Sequence, residues 1–180
     1  VSTPVIDQMA AEGMKLTSFY VAAPVCTPSR AALMTGCYPK RSLSIPHVLF
    51  PGNDVGLSPE EITVAELLKK QGYATACIGK WHLGAHISNH PLNRGFDEFY
   101  GNLYHLNAEE EPETYYYPKD PEFHEKFGPR GVIRSTAGGE IKDTGPMTRK
   151  RMETADEDFL KEGMKFVEKN AKAKEPFFMW

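Results

Sequence analysis

Apolar positions along the chain fall into blocks in which a helical period gives way to a glycine turn and then a short apolar run. The first block opens at Thr3-Pro4, a capping hydroxyl before a proline that suits a first helical position. Ile6, Met9 and Ala10 follow on one face, with Gly13 as the stop. Met14 to Val21 then carries the aromatic and β-branched weight of a strand through Leu16, Phe19, Tyr20 and Val21. In the second block Ser58-Pro59-Glu60-Glu61 reads as a capping box. It opens a helix whose Ile62, Ala65 and Leu68 point inward until Gly72, and Tyr73 to Gly79 follows as an apolar strand. The third block predicts a helix over 154–170, with Phe159, Gly163, Phe166, Val167 and Asn170 inward, running into the apolar strand Pro176 to Trp180. Helix, glycine turn and near-continuous apolar strand is the rhythm of an α/β sheet covered on both faces.

Between Gly101 and Lys150 the pattern lapses. Leu103, Leu106, Val132, Ile133 and Ile141 are its only Leu, Ile or Val residues, beside five prolines and six glycines. Such a stretch predicts a long excursion without a core of its own, with a hairpin around Ala137-Gly138-Gly139-Glu140. A helix starting almost at Val1, with no strand before it, and an apolar strand stopping at Trp180 lead to the expectation of a domain cut at both ends. With 41% apolar and 25% charged residues the composition is that of a globular protein. A formal charge of −3 gives no reason to expect nucleic acid or an anionic membrane as partner. No apolar run approaches the ~20 residues of a membrane span. Cys26, Cys37 and Cys77 are too few and too irregular for a disulfide scaffold or a zinc ribbon, and Cys37 and Cys77 read as buried.

Chemistry concentrates in Cys26-Thr27-Pro28-Ser29-Arg30-Ala31-Ala32-Leu33-Met34-Thr35-Gly36. Thr27 as cap and Pro28 as first residue predict a helix directly after the cysteine, and a helix N-terminus presents unpaired N–H groups that favour an anion. Arg30 in the first turn opposes the helix dipole unless an anion sits there. The apolar residues that follow predict a buried helix whose tip faces a pocket. Two readings stand on these residues: a structural cysteine beside an exposed arginine, or a nucleophile activated by the dipole. Further on, Lys80 and His82 fall just past the apolar strand, where α/β folds form their ligand crevice. In extended chain they would project to one side and reach one substrate. The alternative is a loop lysine and a histidine packed beneath Trp81.

The order of residues around Cys26 resembles the sulfatase signature, Cys-x-Pro-Ser-Arg, three residues, Leu or Met, Thr, Gly, a basic residue, any residue and Pro. Cys26, Pro28, Ser29, Arg30, Met34, Thr35, Gly36 and Pro39 match, and Cys37 stands where the basic residue is usual. Gly72 to Gly84, with Lys80-Trp81-His82, is similar to the family's second signature, and Gly95 to Gly101 to a further family segment. The resemblance implies residues 1–180 of a partial catalytic domain in the alkaline-phosphatase-like superfamily, a three-layer α/β fold with a large mixed sheet. It implies hydrolysis of a sulfate monoester by a formylglycine made from Cys26 by a maturation enzyme that reads Cys26, Pro28, Ser29 and Arg30. Arg30 would hold the hydrated aldehyde and the anion, Lys80 would stabilise charge on sulfate, and His82 would bond the hydrate or assist its proton loss. A divalent metal, Ca²⁺ in the expectation, would have Cys26 as its one ligand here, because the family's paired aspartates, Asp-Asn pair, later histidine and lysine have no match in this sequence. A secreted, periplasmic or lysosomal setting is expected on the same ground. Phosphonate or phosphodiester hydrolysis, or a non-catalytic piece with unmodified Cys26, are the alternatives.

Three further features carry less. His105 stands where related enzymes contact substrate, and otherwise reads as an exposed loop histidine. Glu109-Glu110-Glu111 reads as a solvated charge run, and Tyr115-Tyr116-Tyr117 as a hairpin edge rather than a sugar-stacking platform.

Overall fold

The computed structural model describes residues 1–42 and 47–180. Helices α1 (Pro4–Glu12), α2 (Cys26–Thr35), α3 (Pro39–Ser42) and α4 (Val64–Lys70) precede the first strand, β1 (Ala74–Lys80). Then come β2 (Glu98–Asn102), α5 (Leu106–Glu110), α6 (Pro121–Phe127), β3 (Ile133–Thr136), β4 (Lys142–Asp143), α7 (Arg149–Met152), α8 (Ala155–Ala173) and β5 (Phe177–Met179). The five strands form one mixed sheet in the order β4-β3-β2-β1-β5. β1 runs parallel to β2 and β5, whereas β3 is antiparallel to both β2 and β4.

Alternation along the strands sorts their side chains into two layers. Cys77 of β1 and its register partner Phe99 of β2 face the larger core, with Ala31 and Met34 of α2 and Ala65 of α4. Their neighbours Ile78 and Tyr100 face the other core, closed by Met147, Ala155 and Phe159. The result is helix, sheet, helix, the expected three-layer α/β arrangement. At the β1–β2 pair Gly79 stands opposite Gly101, and a Cβ on Gly101 would collide with the Gly79 carbonyl. The two strands approach this closely just before Lys80.

The third block folds as its pattern predicts, with α8 burying Gly163, Phe166 and Asn170. Elsewhere the structure corrects the pattern. Met14 to Val21 forms no strand, and Met14, Leu16, Phe19, Tyr20 and Val21 are all exposed. Residue preference alone cannot make a strand, since its amides need a ladder partner, and none lies beside this segment among the described residues. Ile6 and Met9 of α1 are likewise exposed. The capping box before α4 is Thr63 with Glu66, not Ser58 with Glu61: Thr63 Oγ1 accepts from the Glu66 amide and Glu66 Oε2 accepts from the Thr63 amide. Thr63 wins because its hydroxyl also donates to the Arg94 carbonyl in a buried setting, and Ile62, left ahead of the helix, is exposed. The stretch after Gly101 does contribute core: Leu103, Tyr104, Ala108 and Ile133 are buried in the larger cluster. Its β3–β4 hairpin extends the sheet, so a few well-placed apolar side chains suffice where strands lend them an existing surface.

Candidate active site

α2 begins two residues earlier than the sequence suggests. Val25 is the cap, Cys26 the first helical residue, and Pro28 occupies the third position. Thr27 does not cap; it is fully buried and its Oγ1 accepts from the Leu49 amide at 3.2 Å. Thr27, Ala31 and Met34 point inward at helical spacing, while Cys26, Ser29, Arg30 and Leu33 line a cavity of about 690 Å³. The helix is therefore half-covered rather than buried all round, with Leu33 exposed.

The opposite wall comes from the carboxyl ends of the parallel strands, as the crevice rule for α/β sheets requires. Lys80, the last residue of β1, lines the cavity, and so does Trp180, which follows β5. Arg30 joins the walls: its Nη1 donates to the Lys80 carbonyl at 2.7 Å and its guanidinium lies 5.7 Å from the centre of the Trp180 ring. Burial lowers the Arg30 pKa from its usual value, yet an arginine remains charged at any physiological pH. Phe50 and His105 complete the rim, their rings 6.4 Å apart and perpendicular.

His82 does not join Lys80 there. Its backbone has φ +59°, so the extended chain that would have aligned the two side chains ends between them. The ring is fully buried, Nε2 lies 2.7 Å from the Leu49 carbonyl, and it packs edge-on to His105 at 5.5 Å. Because the carbonyl only accepts, Nε2 carries the proton and Nδ1, which has no partner among the described residues, carries a lone pair. Burial pushes the pKa of this ring down to about 4, with Lys80, His105 and Arg30 adding to the fall. His105 is not a free loop residue either, since it caps α5 from the cavity wall.

Other expectations also change. Glu109 leaves the supposed charge run and is buried, with its pKa raised to about 8 by burial. Cys37 is only half-buried, its Sγ 3.5 Å from Glu61 Oε2, whereas Cys77 is buried as expected. Tyr115 and Tyr116 sit exposed in a turn, not on a hairpin. Among the described residues no cluster of three or more His, Cys, Asp or Glu is placed to hold a metal ion. Trp180 and Phe50 escaped the sequence reading, although a strand parallel to β1 must end at the same side of the sheet, which was a signal for Trp180.

The family model for sulfatases matches residues 1–180. The chain belongs to the sulfatase family. The sulfatase chain is 52% identical over 110 residues to mouse steryl-sulfatase and 49% identical over 105 residues to human arylsulfatase A. Those matches take in 55% and 57% of the chain but 18% and 21% of the two relatives. The PsFucS1 sulfatase from Pseudoalteromonas sp. superposes on 98% of the chain and 37% of its own, with TM-score 0.81 and 34% identity. The chain thus covers well under half the length of these sulfatases and carries their α/β, alkaline-phosphatase-like fold in part.

Proposed function

We propose that the protein hydrolyses a sulfate monoester, releasing an alcohol and sulfate, at the cavity between α2 and the ends of β1 and β5. The observation that supports this best is the convergence of Cys26, Arg30, Lys80 and His105 on one cavity in a sulfatase-family chain. Cys26 opens the helix and is half-exposed to the cavity, which leaves room for a polar group larger than a thiol. Oxidised to formylglycine by a maturation enzyme that reads Pro28, Ser29 and Arg30, it would supply a hydrated aldehyde, with one hydroxyl to attack sulfur and a second to expel sulfate.

Around that group the chain's own residues do electrostatic work. Lys80 brings an ammonium to the oxygens that gain charge as the ester bond breaks. Arg30 spends one N–H on the Lys80 carbonyl and keeps others for the anion, so its guanidinium is held against the end of β1. Apolar neighbours Val25, Leu33, Phe50 and Trp180 line the same cavity. His82 supports this wall from behind through the Leu49 carbonyl. The described residues do not form a metal cage, and no step here passes through a metal.

The test is peptide mass spectrometry at position 26 with turnover of an aryl sulfate, on the intact protein produced with a formylglycine-generating enzyme. The expected result is an aldehyde at Cys26 together with turnover. Turnover with only unmodified Cys26 would overturn the formylglycine reading, and an aldehyde without sulfate release would overturn the substrate class.

A further inference from the structure

Arg30 is half-buried, and a guanidinium withdrawn from water is ordinarily matched to a carboxylate. None pairs with it among the described residues, and the acidic groups that bear on it are the thiols of Cys77 and Cys26. Burial pushes the Cys77 thiol up, so it stays neutral. The cation is held by one hydrogen bond to the Lys80 carbonyl and by the face of the Trp180 ring, 5.7 Å away at its centre. Both holders are uncharged.

Trp180 is itself firmly placed. It continues β5 by one residue alongside β1: its amide donates to the Ala76 carbonyl and its carbonyl accepts from the Ile78 amide, each at 2.8 Å. The two bonds straddle Cys77, and the half-buried indole packs on the larger core. The ring that meets Arg30 is thus tied to the same strand whose last residue supplies the carbonyl. A charged holder and an uncharged one differ in what they leave over. A carboxylate would offset the charge of Arg30 and occupy the N–H fork that an anion needs. An indole face attracts the cation through its quadrupole and carries no net charge, so the field of the guanidinium survives. We propose that Trp180 is the positioning residue for Arg30, its ring holding the guanidinium at the cavity wall by a cation–π contact that leaves the charge and the remaining N–H groups for the sulfate of the ester. The proposal rests on reading the cavity as a sulfate ester site. Trp180 acts through Arg30 and not on the sulfate.

The experiment is NMR of the Arg30 side chain in the intact protein, its signals being assigned by their loss in Arg30→Lys, followed by titration with inorganic sulfate and turnover of an aryl sulfate. The ring current of Trp180 is expected to move the Arg30 signals upfield. Trp180→Phe, which keeps an aromatic face, should retain most of that displacement, and Trp180→Leu, which keeps only apolar bulk, should abolish it. Trp180→Leu is expected to weaken sulfate binding and to lower kcat/KM about two- to thirtyfold, the range of a cation–π contact, with Trp180→Phe recovering most of the loss. Where Trp180→Leu fails to fold, fluorinated tryptophan at position 180 gives the same reading. Ring fluorines keep the shape and deplete the face of negative potential, so sulfate affinity should fall with each added fluorine, a trend that lost packing would not produce. Arg30 signals without the upfield displacement overturn the proposal, as does a sulfate affinity that ignores fluorination in a protein that turns over sulfate esters. The ring-current shift is read without turnover, so a stacked Arg30 in a protein that neither binds nor releases sulfate would count against the sulfate ester reading instead.

Discussion

The first turn of α2 and the end of β1 form facing walls of one cavity, and they reach it by different means. The helix delivers a stripe: Cys26, Ser29, Arg30 and Leu33 follow the spacing of one helical face, while Thr27, Ala31 and Met34 anchor the opposite face in the core. The strand delivers a single residue, Lys80, after which a left-handed backbone at His82 turns the next functional side chain inward. A helix end can thus present several groups whose relative positions its own backbone fixes. A strand end presents one group and needs something behind it. Here that backing is Leu49, whose amide is bonded to Thr27 and whose carbonyl is bonded to His82, so one residue ties the two walls together.

The largest effects are expected where the two walls meet the substrate. Arg30→Ala and Lys80→Ala should each lower kcat of the intact protein about 100- to 1000-fold, the usual cost of removing one charge-stabilising group. Lys80→Ala should leave the unfolding midpoint close to wild type, because its side chain is bonded to nothing among the described residues. Arg30→Ala should lower the midpoint as well, since it also removes the bond to the Lys80 carbonyl and the stack on Trp180. Steady-state kinetics beside thermal unfolding separates the two, and wild-type turnover in either variant would remove that wall from the chemistry.

His82 comes next in size. Its ring is fully buried and its bond to Leu49 is internal, so His82→Ala should cost about 1 to 3 kcal/mol of stability by leaving the carbonyl unpaired. Denaturant titration measures it. A hundredfold fall in kcat at unchanged stability would instead put His82 in the chemistry beside Lys80.

How much of this was legible in the sequence follows from the same contrast. The site on α2 was legible because its motif residues lie within a single helical turn, where spacing dictates direction. Lys80 was legible because an apolar strand ending in a charge marks the carboxyl edge of a sheet. His82 was not, because the φ +59° turn leaves no mark in a histidine, which, unlike glycine, does not announce a left-handed backbone. Glu109 was misread for a related reason: three adjacent glutamates look alike, and only α5 decides which of them turns inward. The strand expected over 14–21 failed because strand formation depends on a neighbour that residue preference does not reveal.

A smaller effect is expected from pH, with a sign set by three buried groups. Burial holds His82 and His90 at about 4, against 6.5 ordinarily, so both stay neutral in the folded protein while the unfolded chain takes up two protons as pH falls below 6.5. Their contribution is complete above pH 6.5 and is lost toward 4. Glu109 works the other way: raised from 4.5 to about 8, it keeps its proton when folded, and its contribution fades as pH rises through that interval. Between 4.5 and 6.5 two histidines oppose one glutamate, and above 6.5 the glutamate acts alone. Stability should therefore peak near pH 6.5. Denaturant midpoints measured from pH 5 to 8 check this, and a steady rise across the range would mean that Glu109 is ionised in the fold.

The smallest effect bears most directly on how the walls are joined. Thr27 and His82 act on opposite polar groups of Leu49, the hydroxyl of one on its amide and the ring of the other on its carbonyl. Removing either bond lets Leu49 shift, and once it has shifted the remaining bond holds less. Thr27→Val, which keeps the shape and removes the acceptor, should alone cost about 1 kcal/mol. Combined with His82→Ala, the loss should fall short of the sum by about 0.5 kcal/mol or more, the coupling expected of residues that share a partner. A double-mutant cycle on unfolding free energies reads this term. Additivity within about 0.3 kcal/mol would mean that Leu49 is held independently by its own chain. In that case the two walls would be rigid separately, and the position of Arg30 against the end of β1 would not depend on Leu49.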